Sequence, residues 1–196
     1  MSSPPSLPWK YRLASWYMAY IQNLNESPIL TKSLTSGALG FLEEFSAQTI
    51  GYENGRNWQW LRMLRMGAYG TVVNAPLGHL LYELLAKFME PLQSSPFASL
   101  IQLAASNLLI LPLQTWVYLV SMGAFVDQKS CAETRKMLKK TFWPIMFTSW
   151  KYFPVIQLLV FKFLPPMLWV PFFNLLSLFF GIYVNLTAKS EEKKQN

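Results

Sequence analysis

Charge is what this sequence is shortest of. No Asp, Glu, Lys or Arg occurs from Pro91 to Val126, and none from Phe163 to Ala188. Each run exceeds the roughly 20 residues that an α-helix needs to cross the hydrocarbon core of a bilayer. A soluble domain of this size does not hide two such runs easily, because its helices each keep a wet face. Cysteine is nearly absent: Cys131 stands alone, so no internal disulfide can form and nothing points to an oxidising compartment. The single histidine, His79, excludes a histidine-rich metal site. Gly-x-Ser-x-Gly elbows, phosphate-cradling glycine loops and dinucleotide fingerprints are all missing. No catalytic set, metal or cofactor is therefore expected, and the chain reads as a non-enzymatic integral membrane protein. The first residues show no charged-then-apolar signal peptide, and Lys194-Gln195-Asn196 is no peroxisomal matrix address.

What is present fits that reading without being extreme. Hydrophobic residues make up 52% of the chain, charged residues 14%, and the mean hydropathy is +0.20. Bare lipid-facing helices would score higher, so some segments must be amphipathic or carry polar groups into the membrane. The 196 residues hold one unit of about four or five helices. The net charge of +7 comes from scattered bases with no stripe on a soluble module. It predicts cationic loops against anionic headgroups, not nucleic acid.

The expected fold is all-α: an integral membrane bundle of four transmembrane helices, an N-terminal amphipathic helix and a kinked aromatic helix before the last span. Residues 1–8 read as disordered, 9–188 as one transmembrane domain, and 189–196 as a charged tail. The spans fall near 33–52, 61–83, 97–125 and 167–186, with 9–25 and 142–164 amphipathic or partly embedded. Residues 127–141 form a basic loop or short helix between the third span and the aromatic segment. Lys and Arg divide almost evenly between the two sides of such a bundle, so the asymmetry that orients membrane proteins is lacking.

Two stripes stand out. On the first span Ser33, Gly37, Gly40, Glu44 and Gln48 share a helical face, and small residues let backbones approach closely in lipid. On the second, Arg62, Arg65, Tyr69, Pro76, His79 and Glu83 share one, with a gap at Val72. Glu43 and Glu44 are adjacent but point about 100° apart, which is no geometry for a paired acid–base dyad. Glu44 and Arg65 lie at comparable depth in an antiparallel hairpin, and an unpaired charge there is penalised by roughly 2.5–3.5 kcal/mol. They are expected to pair, either fastening two helices or lining a polar path. Lys151 and Lys162 lie three turns apart on the aromatic segment, facing the interface or something wet. Ser106 is the one buried nucleophile worth naming. The candidate pore-lining or helix-fastening residues are Glu43, Glu44, Gln48, Arg62, Arg65, His79, Lys151 and Gln157.

The order and spacing of many residues resemble a known family, that of the peroxisomal membrane protein of twenty-two kilodaltons and its mitochondrial relatives of the Mpv-seventeen type. Tyr20, Leu24, Pro28 and Thr31 open the match, followed by Gly37-Ala38-Leu39 and Gln48. Its most specific part is Arg62-x-x-Arg65, Gly70, Pro76, His79 and Tyr82. Pro112, Trp143-Pro144, Trp150, Pro154, Gln157, Phe161 and Pro165 complete it. The chain departs from the family at Glu43-Glu44 (usually Gly-Asp), Ala75, Leu81, Ser106-Asn107 (commonly Asp-Gln), Phe153, Val160 and Phe180, so it reads as a divergent member. The resemblance implies four helical spans and a weakly selective, cofactor-free channel for small water-soluble metabolites. The membrane implied is the peroxisomal one, with the inner mitochondrial membrane as alternative. The competing reading is a membrane scaffold or assembly factor without transport activity. Expected partners are the lipid bilayer, small solutes and further copies of the chain. Four helices about 10–12 Å wide leave little lumen, so a wide conductance would need a symmetric homo-oligomer.

Overall fold

A computed structural model describes residues 9–51, 58–164 and 169–193. Among the described residues every regular element is helical. Helix α1 (Trp9–Glu26) leads almost directly into α2 (Pro28–Gly51). Helix α3 (Trp60–Tyr69) passes through a wide π turn, Gly70–Asn74, into α4 (Ala75–Met89). Next come α5 (Ala98–Ala105), a π turn at Ser106–Ile110, α6 (Leu111–Ser121) and a third π turn, Met122–Val126. Helix α7 runs from Cys131 to Phe163, and α8 from Trp169 to Lys193.

Helices thus occupy all four segments expected to span. By length and composition one described stretch, Ala98–Val126, is long and apolar enough to cross a membrane. Only 33% of its most apolar window is buried inside the fold, so most of that surface faces outward. Among the described residues Leu175–Val184 is a shorter apolar stretch.

Two expectations need correction. The basic segment 127–141 and the aromatic segment 142–164 are not separate: α7 is one helix of 33 residues. It starts early because Ser130 caps it. The Ser130 hydroxyl accepts from the Glu133 amide, while the Glu133 carboxylate accepts from the Ser130 hydroxyl (2.6 Å) and amide (2.8 Å). This reciprocal capping box satisfies amides that a helix start leaves open and holds the Glu133 carboxyl below its ordinary range. Residues 189–193, read as tail, continue α8; segment 1–8 lies outside the described residues.

The second correction concerns the polar stripe of the second span. Proline's ring collides with the carbonyl four residues before it. Pro76 and Pro112 would meet the carbonyls of Val72 and Leu108, each the middle residue of a π turn. The wider turn relieves the clash but adds a residue, which rotates the face that follows. Before the turn Arg62, Met63, Met66 and Tyr69 point inward; after it Leu85 and Met89 do. Val72 is 70% exposed, and Glu83 faces outward to pair with Lys87 at 3.4 Å.

Helix α2 is the hub, packing on α1, α3, α4 and α8. Its expected small-residue face is buried throughout: Ser33, Gly37, Gly40, Glu44 and Gln48. A Cβ on Gly40 would stand 2.8 Å from the Met66 carbonyl oxygen, and one on Gly67 would stand 3.3 Å from that of Gly37. The two backbones are in contact because neither helix has side chains there. Elsewhere Leu119 of α6, Ile145 and Met146 of α7, and Val184 of α8 close a second contact region. The Gly40→Ala variant should be destabilised by about 1–3 kcal/mol, the usual range for overpacking against an unyielding neighbour. Ala38→Val, on the exposed side of the same helix, should leave stability nearly unchanged. Thermal unfolding of both in mild detergent checks this.

Candidate functional site: a polar cavity beside a buried ion-pair network

Adjacent glutamates on α2 serve two different places. Glu44 turns toward α3 and is fully buried. There it is ion-paired to Nη1 of Arg62, not to Arg65. Arg62 Nε donates at 2.7 Å to Oδ1 of Asp127, whose Oδ2 meets Lys129 Nζ at 3.2 Å. Gln48 extends the network: Nε2 donates to Glu44 Oε1 at 2.8 Å, and Oε1 accepts from the Gln59 amide at 3.0 Å. Two acids and two bases cancel, so the cluster is neutral as a whole.

The expected Glu44–Arg65 pair is wrong by one helical turn. Chain distance from the hairpin loop sets depth, but direction decides the partner. Arg65 points to the end of the third π turn, where Nη1 donates at 3.1 Å to the Val126 carbonyl. That carbonyl sits in the last turn before the chain leaves the helix through Gln128, at φ 55°. A cation there complements the free carbonyls and dipole of a helix C-terminus.

Glu43 faces the other way, into a cavity of about 540 Å³ between α2, α4, α6, α7 and α8. Its carboxylate lies against the backbone of Gly181, leaving no room for a side chain there. Among the described residues Glu43 has no hydrogen-bond or ion-pair partner. Asn74, Gln114, Thr115, Gln157 and Ser177 add polar lining. A second cavity of about 440 Å³ shares Glu43, Asn74, Tyr82, Gln114, Tyr118 and Ser177 with the first and reaches Lys32 and His79. At that end Lys32 Nζ donates to His79 Nδ1 at 3.2 Å. Tyr69 and Tyr118 meet edge to face at 5.7 Å, and neither buried hydroxyl has a partner among the described residues. Such orphans cost about 1–3 kcal/mol each, which water or a solute in the cavity would relieve.

Asn107 Nδ2 donates to Gln157 Oε1 at 3.1 Å across the first cavity wall. The Asn107 carbonyl would accept from residue 112 in a π turn, but proline has no amide hydrogen. Trp150 Nε1 supplies the missing donor at 2.9 Å. Ser106 donates its hydroxyl to the Leu103 carbonyl at 2.9 Å, an ordinary helix back-bond and no activated nucleophile.

Of the eight residues expected from sequence, the structure places Glu43, His79 and Gln157 on the cavities. It gathers Glu44, Gln48 and Arg62 into the network, with Arg65 beside it. Lys151 joins neither: it is exposed, with Nζ 5.2 Å from the Tyr152 ring centre, because it lies on the outer face of α7. Asp127 and Lys129 were missed, as were Asn74, Gln114 and Ser177. Asp127 is the chain's only aspartate and ends the longest uncharged run, a signal that could have named it as partner for a membrane arginine.

Arg62→Ala should destabilise the protein by about 3–5 kcal/mol, since both buried carboxylates lose their cation. Arg65→Ala removes one charged hydrogen bond, worth about 1.5–3 kcal/mol. In double-mutant cycles with Glu44→Gln, Arg62 should couple strongly and Arg65 should add independently. Denaturant unfolding in mixed micelles reads both cycles.

Comparison with known proteins agrees with the family resemblance. The Mpv17 / PMP22 family profile matches residues 124–185. The Woronin body membrane protein wscA of Aspergillus fumigatus is 38% identical over 178 residues, 89% of this chain and 78% of that protein. The Woronin sorting complex protein of Neurospora crassa is 35% identical over 88% of this chain, which spans only 57% of that protein's length. Peroxisomal membrane protein 2 of Bos taurus is 29% identical, covering 87% of this chain and 88% of its own. No solved structure matches the chain. Identity this high across most of a full-length relative makes the chain a member of the Mpv17 / PMP22 family of membrane proteins.

Proposed function

We propose that this chain forms a weakly selective pathway for small water-soluble solutes through the peroxisomal membrane, crossing it with four helical spans. One observation carries the reading: two adjacent cavities, sharing Glu43, Asn74, Gln114 and Ser177 as lining, lie within a bundle that exposes many large apolar side chains. Lipid cannot satisfy such groups, so polar side chains converging inside a membrane bundle line a wet path. The peroxisomal assignment rests on the bovine relative's name and on the residues that resemble that branch. Targeting to the inner mitochondrial membrane, seen by co-localisation, would replace it. A single bundle holds a narrow lumen, and homo-oligomers account for any wide conductance.

A second reading has its own support. The Neurospora relative is named for a sorting complex, and a scaffold would use the Arg62 network only to hold helices together. That reading predicts no conductance and stable co-purification of partner proteins.

Purified protein in planar bilayers separates the two. The pathway reading expects conductance above protein-free controls. Glu43→Gln should shift the reversal potential toward anions at alkaline pH, where the acid on the shared wall of the cavities is ionised. Gly181→Leu should lower unit conductance, since the side chain enters the space held by the Glu43 carboxylate. Folded protein that never conducts, across independent preparations, would refute the proposal.

A further inference from the structure

The bases that look scattered in sequence are gathered by the unbroken α7. At 100° per residue, Arg135, Lys136, Lys139, Lys140, Trp143 and Phe147 fall within a sector about 140° wide. All six are exposed, Trp143 at 53% and Phe147 at 63%. The opposite face, with Thr134, Met137, Thr141 and Ile145, is buried. Among the described residues none of the four cations has a carboxylate partner. The nearest acid, Glu133, is turned back onto the Ser130 cap.

The spacing along the axis matches a bilayer edge. From Arg135 to Lys140 the helix rises about 7.5 Å, close to the roughly 5–7 Å of headgroup layer on each side of the hydrocarbon core. The ring of Trp143 follows at the depth where interfacial tryptophans sit, and Phe147 stacks on it at 5.8 Å on the acyl side. Arg135 with Lys139, and Lys136 with Lys140, form two rungs at i,i+4, about 5–6 Å across. Rungs of that width suit the oxygens of a phosphate group, which arginine grips as a fork.

We propose that this face of α7 is a binding site for an anionic phospholipid bearing a phosphomonoester headgroup, such as a phosphoinositide. The four cations hold the phosphate while Trp143 and Phe147 lie along the acyl chains. A phosphomonoester carries nearly two charges, so it gains more from four unpaired cations than a phosphodiester does. The site does not depend on solute passage, because none of its residues lines either cavity.

The test uses the full chain in phosphatidylcholine nanodiscs doped with phosphatidylinositol or phosphatidylinositol 4-phosphate, with retained lipid counted by native mass spectrometry. The phosphomonoester lipid should be retained preferentially. Joint Arg135→Gln, Lys136→Gln, Lys139→Gln and Lys140→Gln should lower its retention by at least an order of magnitude, as about fivefold per cation compounds. Exchanging lysine for arginine at 136, 139 and 140 should preserve it. Trp143→Ala should weaken lipid retention but not the feebler capture of soluble inositol phosphate. Equal retention of neutral and anionic lipid would overturn the proposal. So would undiminished retention by the folded glutamine variant, soluble headgroup binding as tight as the lipid, or an acidic protein held in the lipid's place.

Discussion

One guanidinium ties this bundle together. Arg62 reaches Glu44 on α2 and Asp127 beyond α6 at once, so three separate stretches of chain meet around a single side chain. A lysine would replace it poorly, because its ammonium lacks the fixed planar fork by which Nε and Nη1 address two carboxylates. Net neutrality matters as much as geometry. With Lys129 closing the account on Asp127, the network can lie within a fold whose outer surface is apolar.

Around that point the remaining contacts are of two kinds. Glycines on α2 and α3 let the hairpin close backbone to backbone, and this approach brings Arg62 within reach of Glu44. Pro76 and Pro112 do the opposite, accompanying wide turns that redirect the faces that follow. The indole of Trp150 answers the Asn107 carbonyl from a neighbouring helix. Glu43 stands apart from both, since its carboxylate meets a glycine backbone and a cavity.

Much of this was legible from residue order alone. The small-residue face of the first long helix, the positions of the helices and the family pattern all follow from local spacing, which an α-helix converts directly into geometry. The Arg62 partner was not legible, because chain distance fixes depth but not azimuth, and a partner 65 residues away leaves no periodic trace. The second stripe failed for a related reason: an extra residue in a π turn breaks the 3.6-residue period on which the stripe was drawn. Continuity of α7 was readable in principle from Ser130-x-x-Glu133, but two internal prolines argued locally against it.

The two rims of the bundle differ in mechanical character. At one, Arg62, Asp127, Lys129 and Arg65 pin three stretches of chain, and separating them would strand buried charges. At the other, the link between Lys32 and His79 is one exposed hydrogen bond, weak enough to break and re-form continually. Polar anchoring is therefore uneven, as in a clothes-peg with its spring at the arginine and its jaws at the histidine. Parting the helices strands buried charge at the Arg62 side and only one exposed hydrogen bond at the His79 side.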